Sequence, residues 1–386
     1  YVDVAAKYAL LRIGRAANDQ VLEIQTLASG WGYTSDYHDW AVGLPQDAAG
    51  NYYLALPCFQ DNRPAVAGKF KGSILKLVPR TPDFARPEYF AKEVLTHGHR
   101  FPMGMALNAQ DELFVTDNQG NYNPFNELNF VRPGRHFGFV NKGAEKPTEV
   151  TSPAIDIPHP WTRSVNGICF LLTPKALQKE GKPPVFGPLE GHLVGCEYDT
   201  RRLIRMSLQR VGDDYQGCSY PLTVPTTPEE SPLGPICCEI SPAGELVVGN
   251  LRDSGWGAGN NIGEVIRIAV DPTKFGHGLA EMRATPTGFE LDFFQPVDEK
   301  LATDPANYSL SSYRRESTPA YGGNDIDRRT EKVAKAELSE DRKRVLLTVN
   351  DLRAGHNYEL RLKSLAADGS PFHPAEAHYT LRKVIK

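Results

Sequence analysis

Four stretches of this chain repeat one arrangement: an apolar strand, a tight turn carrying Asp, Asn or Gly, then a strand rich in aromatic and β-branched residues. The clear copies are WAVGLPQDAAGNYYLALP (Trp40 to Pro57), MGMALNAQDELFVTD (Met103 to Asp117) and ICCEISPAGELVVGN (Ile236 to Asn250). A more degenerate copy lies between Ser164 and Leu208. Each is followed by an alternating strand that ends in a basic or polar residue: GSILKLVPR, NELNFVRPG, RRLIRMSLQ and GEVIRIAVD. Such strands are too short to bury a core alone. A period of about 55 to 80 residues with four strands per unit predicts an all-β chain built of β-propeller blades. The alternative, a β-sandwich with coincidental turns, seldom repeats strand, turn and strand in the same order. The opening segment from Tyr8 to Ser29 supplies two further strands. The ring is then expected to hold about six blades, with part of one contributed by sequence before Tyr1.

From about Gly288 the pattern changes. Period-two segments such as GFELDFFQPVD, VAKAELSEDRKRVLLTV and HNYELRLKSLAADG carry more charge and are separated by polar turns. They predict a small immunoglobulin- or fibronectin-like β-sandwich. The expected domains are therefore a propeller over 1–285, carrying the active site, and a sandwich over 286–386. Ser312 to Arg329 reads as a long loop inside the second of these. Helix is scarce, with Pro174 to Gly181 the one short candidate.

Composition narrows the function classes. A formal net charge of -4 argues against a general nucleic-acid binder. No run approaches the roughly 18 to 20 apolar residues that span a bilayer. The chain begins at Tyr1 without a Met, which either a removed export signal or a trimmed boundary explains. Six cysteines without any C-x-x-C are too few for a disulfide scaffold and exclude a zinc ribbon or covalent c-type haem site. Adjacent Cys237 and Cys238 are expected to face opposite sides of a strand.

Polar residues gather just outside the strand ends between Thr96 and Val140, where a blade presents groups to a ligand. Gln119, Asn121 and Asn126 crowd one loop there, and Arg252 follows the strand that ends near Asn250. The run from His159 to Asn166 sets Trp161 beside Arg163 and Asn166. Aromatic stacking plus bidentate hydrogen bonding suits a polyhydroxylated or sugar-acid substrate, although Trp161 equally suits packing between blades. His97, His99 and His159 are candidate metal ligands, but no pair has the helical spacing of a zincin site.

The stretch Gly98-His99-Arg100-Phe101-Pro102-Met103-Gly104, the NAQDEL turn and Asn126-Glu127-Leu128-Asn129 through Gly138 resemble the soluble quinoprotein glucose and sorbosone dehydrogenase propellers. Upstream, His38, the strands from Trp40 to Pro57 and Gly72-Ser73-Ile74-Leu75-Lys76-Leu77 match the same family in order. DYHDWAVGLPQDAAGNYYLALPC, FPMGMALNAQDELFVTDNQGNYNPFNELN and IPHPWTRSVNGICF look closest to the "membrane-bound dehydrogenase" propeller proteins of planctomycetes and verrucomicrobia. The resemblance implies a periplasmic or secreted sugar or polyol dehydrogenase. It makes His38 the general base and Arg100 the electrophilic partner over a pyrroloquinoline quinone (PQQ) ring. It also implies Ca2+ near the NQGNYNP loop and a c-type cytochrome or other redox subunit as partner. Two positions depart from the family, because polar cofactor contacts are replaced by Phe101 and Met103. The last blade also lacks the arginine-bearing strand that clamps the PQQ carboxylates. A carbohydrate-active lyase or hydrolase that has lost the quinone therefore stays open, as does a non-catalytic propeller subunit of a redox or polysaccharide-binding assembly.

Overall fold

The repeated turns share one hydrogen-bond scheme. The computed structural model describes residues 1–386 except 16–21, 35–38, 58–67, 141–146, 160, 225–232 and 253–261. His38 and Cys58 thus lie outside the described residues. In the turns that start at Asp47, Asn108 and Ser241, the amide three residues on donates to the first residue's carbonyl, at 3.0, 3.1 and 2.9 Å. The first residue's own side chain accepts from the amide four residues on, at 2.9, 2.9 and 3.1 Å. Gly50, Asp111 and Gly244 close these turns with φ of 82°, 58° and 79°, the left-handed region open to Gly and tolerated by Asp. The repeat seen in the sequence is thus a repeat of turn chemistry.

The regular structure of the described chain is nearly all β-strand, and the chain divides into two compact units. The first contains Tyr1–Pro124, Asn129–Ser152 and Ser317–Gly322; the second contains Phe125–Leu128, Pro153–Glu316 and Gly323–Lys386. The first unit opens with an antiparallel sheet of β1 (Val2–Ala5), β2 (Ala9–Arg15) and β3 (Leu22–Ser29). Next come β4 (Tyr52–Leu56), β5 (Ser73–Pro79) and β6 (Phe90–His97), then the hairpin of β7 (Gly104–Leu107) and β8 (Leu113–Asp117). β9 (Asn126–Phe130) starts in residues of the second unit and ends in residues of the first, and β10 (Arg135–His136) joins β6 in parallel. Period-two alternation sends the faces of β4 to different cores. Leu54 and Leu56 meet Leu75, Leu77 and Trp31, whereas Tyr53 and Ala55 meet Ile74, Met105 and Val115. A sheet buried on both faces needs apolar residues at every position, which YYLAL and SILKL nearly supply.

In the second unit β11 (Ile155–Ile157) pairs with Asn126–Leu128. The chain continues as β12 (Val165–Phe170), β13 (Leu193–Glu197), β14 (Arg202–Val211) and β15 (Asp214–Pro221), and then β16 (Gly234–Ile240), β17 (Leu246–Arg252) and β18 (Ile262–Ile268). Further on lie β19 (Leu279–Thr285), β20 (Gly288–Phe293), β21 (Tyr308–Arg314) and β22 (Ile326–Glu331). The last four are β23 (Val333–Leu338), β24 (Arg344–Val349), β25 (His356–Leu362) and β26 (Glu376–Leu381). β15 pairs with β26, so one eight-stranded sheet runs β12-β13-β14-β15-β26-β25-β21-β22 across residue 285. Facing it, β19-β20-β24-β23 contributes Phe289, Leu291 and Leu347 to a core shared with Leu310, Tyr358 and Tyr379. The helix expected over Pro174 to Gly181 shrinks to a single 3-10 turn at Lys175–Leu177 that buries no side chain.

One buried cation ties β14 to β19. Arg205 is fully buried and donates through Nη1 to Ala280 O at 2.6 Å and through Nη2 to Leu279 O at 3.0 Å. Its guanidinium lies 4.1 Å from the Tyr220 ring centroid. Nη1 also stands 2.7 Å from His192 Nδ1. Arginine can only donate, so Nδ1 accepts and His192 is neutral. Burial and the adjacent Arg205 charge hold the His192 pKa well below its ordinary value.

Candidate functional site

The Arg100 loop is built by the carboxylate that ends β8. Asp117 is buried, and it accepts from Arg100 N at 2.8 Å, Phe101 N at 2.6 Å and Asn118 N at 2.8 Å. Three backbone donors on one carboxylate fold the 98–103 segment over the strand end. Upstream, Gly98 sits at φ 80°, where an added Cβ would come within 2.4 Å of the His136 ring and 2.8 Å of Gly138 N. Only glycine lets β6 turn into the loop there. His99 is fully buried, with Nε2 2.9 Å from Thr96 Oγ1, Nδ1 3.7 Å from Asp117 Oδ2, and its ring against Phe137. This histidine is thus part of the loop's foundation.

Arg100 is placed from two sides. Its aliphatic stem lies along Gly120, where a Cβ would stand 2.5 Å from Arg100 Cδ. Its guanidinium lies 5.1 Å from the Tyr321 ring centroid. Tyr321 arrives on a strap, Ser317–Gly322, laid over the 118–124 loop. The bonds are Tyr122 N to Thr318 O at 2.8 Å, Asn121 Nδ2 to Pro319 O at 2.5 Å and Gly322 N to Gly120 O at 3.0 Å. The strap is the site element that sequence reading missed, since it was read as part of an ordinary loop. The amide-rich loop at 118–123 was its one trace, because such a loop needs backbone partners.

Trp40 meets the same loop. Trp40, 42% exposed, has its ring centroid 5.7 Å from that of Phe101. Asp39 is fully buried in an ion pair with Lys71 and accepts from Thr34 N at 2.5 Å. Burial alone would raise its pKa, but the Lys71 ammonium and Thr34 keep it below the usual carboxylate range. Tyr321, Arg100, Phe101 and Trp40 together give the first unit a surface that combines one cation with aromatic faces.

The other sequence-predicted residues divide between the units. Gln119 and Asn121 stay with Arg100, but their amides brace the loop, Gln119 Nε2 donating to Pro124 O at 2.9 Å. His97 ends β6 as the register partner of His136. Asn126, Trp161, Arg163, Asn166, Arg252 and His159 belong to the second unit. There Trp161 Nε1 donates to Glu376 at 2.8 Å, Arg202 lies over its ring at 4.4 Å, and the His378 ring is 4.6 Å away. Asn126 Nδ2 donates to Thr162 O at 3.0 Å. Both therefore serve the unit's own packing. Arg163 is exposed, and its amide donates to Glu197 at 3.1 Å. Asn166 Oδ1 accepts from Ser164 Oγ at 3.2 Å, and Arg252 ends β17. The His159 carbonyl accepts from Arg315 at 2.6 Å, and burial with nearby Arg163 and Arg315 lowers the ring pKa. Among the described residues no group of three or more His, Cys, Asp or Glu is disposed to hold a metal ion.

His378 carries a pH prediction. It is 4% exposed, neither ring nitrogen has a hydrogen-bond partner among the described residues, and burial pushes its pKa down to about 4. A depressed histidine pKa leaves stability intact above the unfolded value near 6.5. Stability is lost as pH falls from there toward 4, because only the unfolded chain takes up the proton. The expected loss is about 1.4 kcal/mol per pH unit over that window. Urea unfolding at pH 7.5, 6 and 5 measures it, and His378→Phe should remove one proton's worth of slope.

No protein-family model matches the chain, and no curated protein matches it. Solved structures similar to it include a glucose dehydrogenase at 17% identity and TM-score 0.46, covering 68% of this chain and 73% of that one. A soluble aldose sugar dehydrogenase from Escherichia coli in the apo-form has 17% identity and TM-score 0.44, covering 67% and 72%. The PQQ-bound form of an aldose sugar dehydrogenase from Streptomyces coelicolor has 17% identity and TM-score 0.43, covering 68% and 72%. At these values no residue role is carried across.

Proposed function

We propose that the chain is an exported sugar- or polyol-dehydrogenase-like β-propeller with a C-terminal sandwich over 286–386, oxidising a carbohydrate hydroxyl or aldose. The observation that carries this reading is the meeting of Trp40 with Phe101. It sets Trp40, which follows the candidate base His38 by two positions in the sequence, against the loop that presents Arg100. A neutral imidazole takes the hydroxyl proton, and the guanidinium stabilises the substrate oxygen on which negative charge develops. The hydride leaves to a separately supplied two-electron acceptor, the role the redox dye takes in the assay below. Gly120 and the Tyr321 ring hold Arg100 in place.

The donor set fits PQQ poorly. A tricarboxylate needs several cations or amides, whereas Phe101 and Met103 are apolar, and the Gln119 and Asn121 amides donate to Pro124 and Pro319 carbonyls. No step is therefore assigned to the quinone. The same observation favours a second reading, a lyase or hydrolase that keeps His38 for proton abstraction and Arg100 for oxyanion stabilisation. Dye reduction with aldoses after incubation with PQQ and Ca2+ tests the first reading, and a c-type cytochrome would then be the natural acceptor. Under it Arg100→Ala lowers kcat about 10²–10³-fold without changing the urea midpoint. Sugar cleavage without dye reduction would replace it with the second.

A further inference from the structure

Three thiols from three strands converge in the second unit. Gly167 on β12 lies so close to β16 that an added Cβ would come 2.6 Å from Cys237 Cα and 2.8 Å from Ile236 O. The two backbones are in direct contact there. Strand alternation then turns neighbouring side chains opposite ways. Cys237 is exposed and lies over Gly249, its register partner on β17. Cys238 points toward β12 and β13, its Sγ 3.9 Å from Gly167 O and 3.9 Å from Val194 O. Val194 is the register partner of Cys169, and Cys196 lies two residues further along β13 on the same face. Cys238 is accordingly a hydrogen-bonding neighbour of both the Cys169 and Cys196 thiols. All three are free, and Cys169 and Cys196 belong to a core with Leu171, Phe186 and Val248.

We propose that this cluster is a disulfide site in which Cys238 is the common partner, bonding to Cys169 or Cys196 and fastening β16 to the β12–β13 pair. The chemistry balances with a small-molecule disulfide as the two-electron oxidant. The Cys238 thiolate attacks it, forming a mixed disulfide and releasing one thiol. The Cys169 or Cys196 thiolate then displaces the second thiol. Two cysteine sulfurs are oxidised, the oxidant's S–S bond is reduced, and both protons leave on the released thiols. The third cysteine can attack the new bond and exchange with it. The hydrogen bond to Cys238, and after it burial, raises the pKa of Cys169. At Cys238 the bond to Cys169 pulls downward, but the bond to Cys196 and burial hold the thiol well above its ordinary value, so the thiolate of both is suppressed. Reaction therefore runs before β16 docks or while it is transiently open.

The full chain is oxidised with glutathione disulfide in two arms, one folded and one during refolding from urea. It is then denatured, alkylated and mapped by mass spectrometry without reduction. The expected product is a linked peptide pair containing Cys238 with Cys169 or Cys196, two hydrogens lighter than the reduced pair, and a raised urea midpoint. Cys238→Ser should abolish the link, with Cys238→Ala as a second variant in case serine impairs folding, while Cys237→Ser leaves it unchanged. Recovery of Cys169, Cys196 and Cys238 as alkylated thiols in both arms would overturn the proposal. So would pairings spread at random over Cys58, Cys218 and Cys237. Neither result depends on sugar oxidation.

Discussion

Asp117→Ala is expected to destabilise the first unit by about 3 to 5 kcal/mol, because it strands backbone donors that cost about 1–3 kcal/mol each when left unpaired. The orphaned groups are Arg100 N, Phe101 N and Asn118 N. Asp117 is buried, so water does not readily replace the carboxylate. The same change releases the loop that positions Arg100, so ligand binding is lost together with stability. Asp117→Asn keeps one acceptor oxygen and should recover part of the stability. Urea unfolding of both variants measures the order. Equal midpoints for wild type and Asp117→Ala would show that the carboxylate does not organise the loop.

Arg205→Ala is expected to cost the second unit a similar amount, about 3 to 5 kcal/mol, the range for breaking a buried charged network. The substitution leaves the Leu279 and Ala280 carbonyls and His192 Nδ1 without their donor, and opens a cavity beside Tyr220. Arg205→Met fills most of that volume with no charge to desolvate. It should lie much closer to wild type, as buried ionic groups replaced by apolar isosteres often do. Thermal or urea unfolding separates the two outcomes. If methionine is as damaging as alanine, the carbonyl hydrogen bonds matter more than packing.

The repeat was legible because its information is local. Asp47, Asn108 and Ser241 each cap their own turn, and Gly50, Asp111 and Gly244 each adopt the backbone conformation their residue type permits. Period-two alternation likewise placed β4, β5, β14 and β18. The Arg100 loop was legible as a motif, as was the opposition of Cys237 to Cys238.

The tertiary structure decided what each exposed-looking group faces. The Tyr321 strap reaches Asn121 from about 200 positions away along the chain, a distance that no local pattern encodes. The Trp161 ring is taken up by Arg202 and His378, residues on strands whose pairing the sequence does not state. The β15–β26 pairing likewise joins strands separated by more than 150 residues in one sheet. Sequence alone set the strands, their turns and the residue types at the loop ends, since these follow from local backbone preference. Which carboxylate anchors Arg100, which ring flanks it and which thiols meet follow from long-range packing, whose free energy exists only once the strands have assembled.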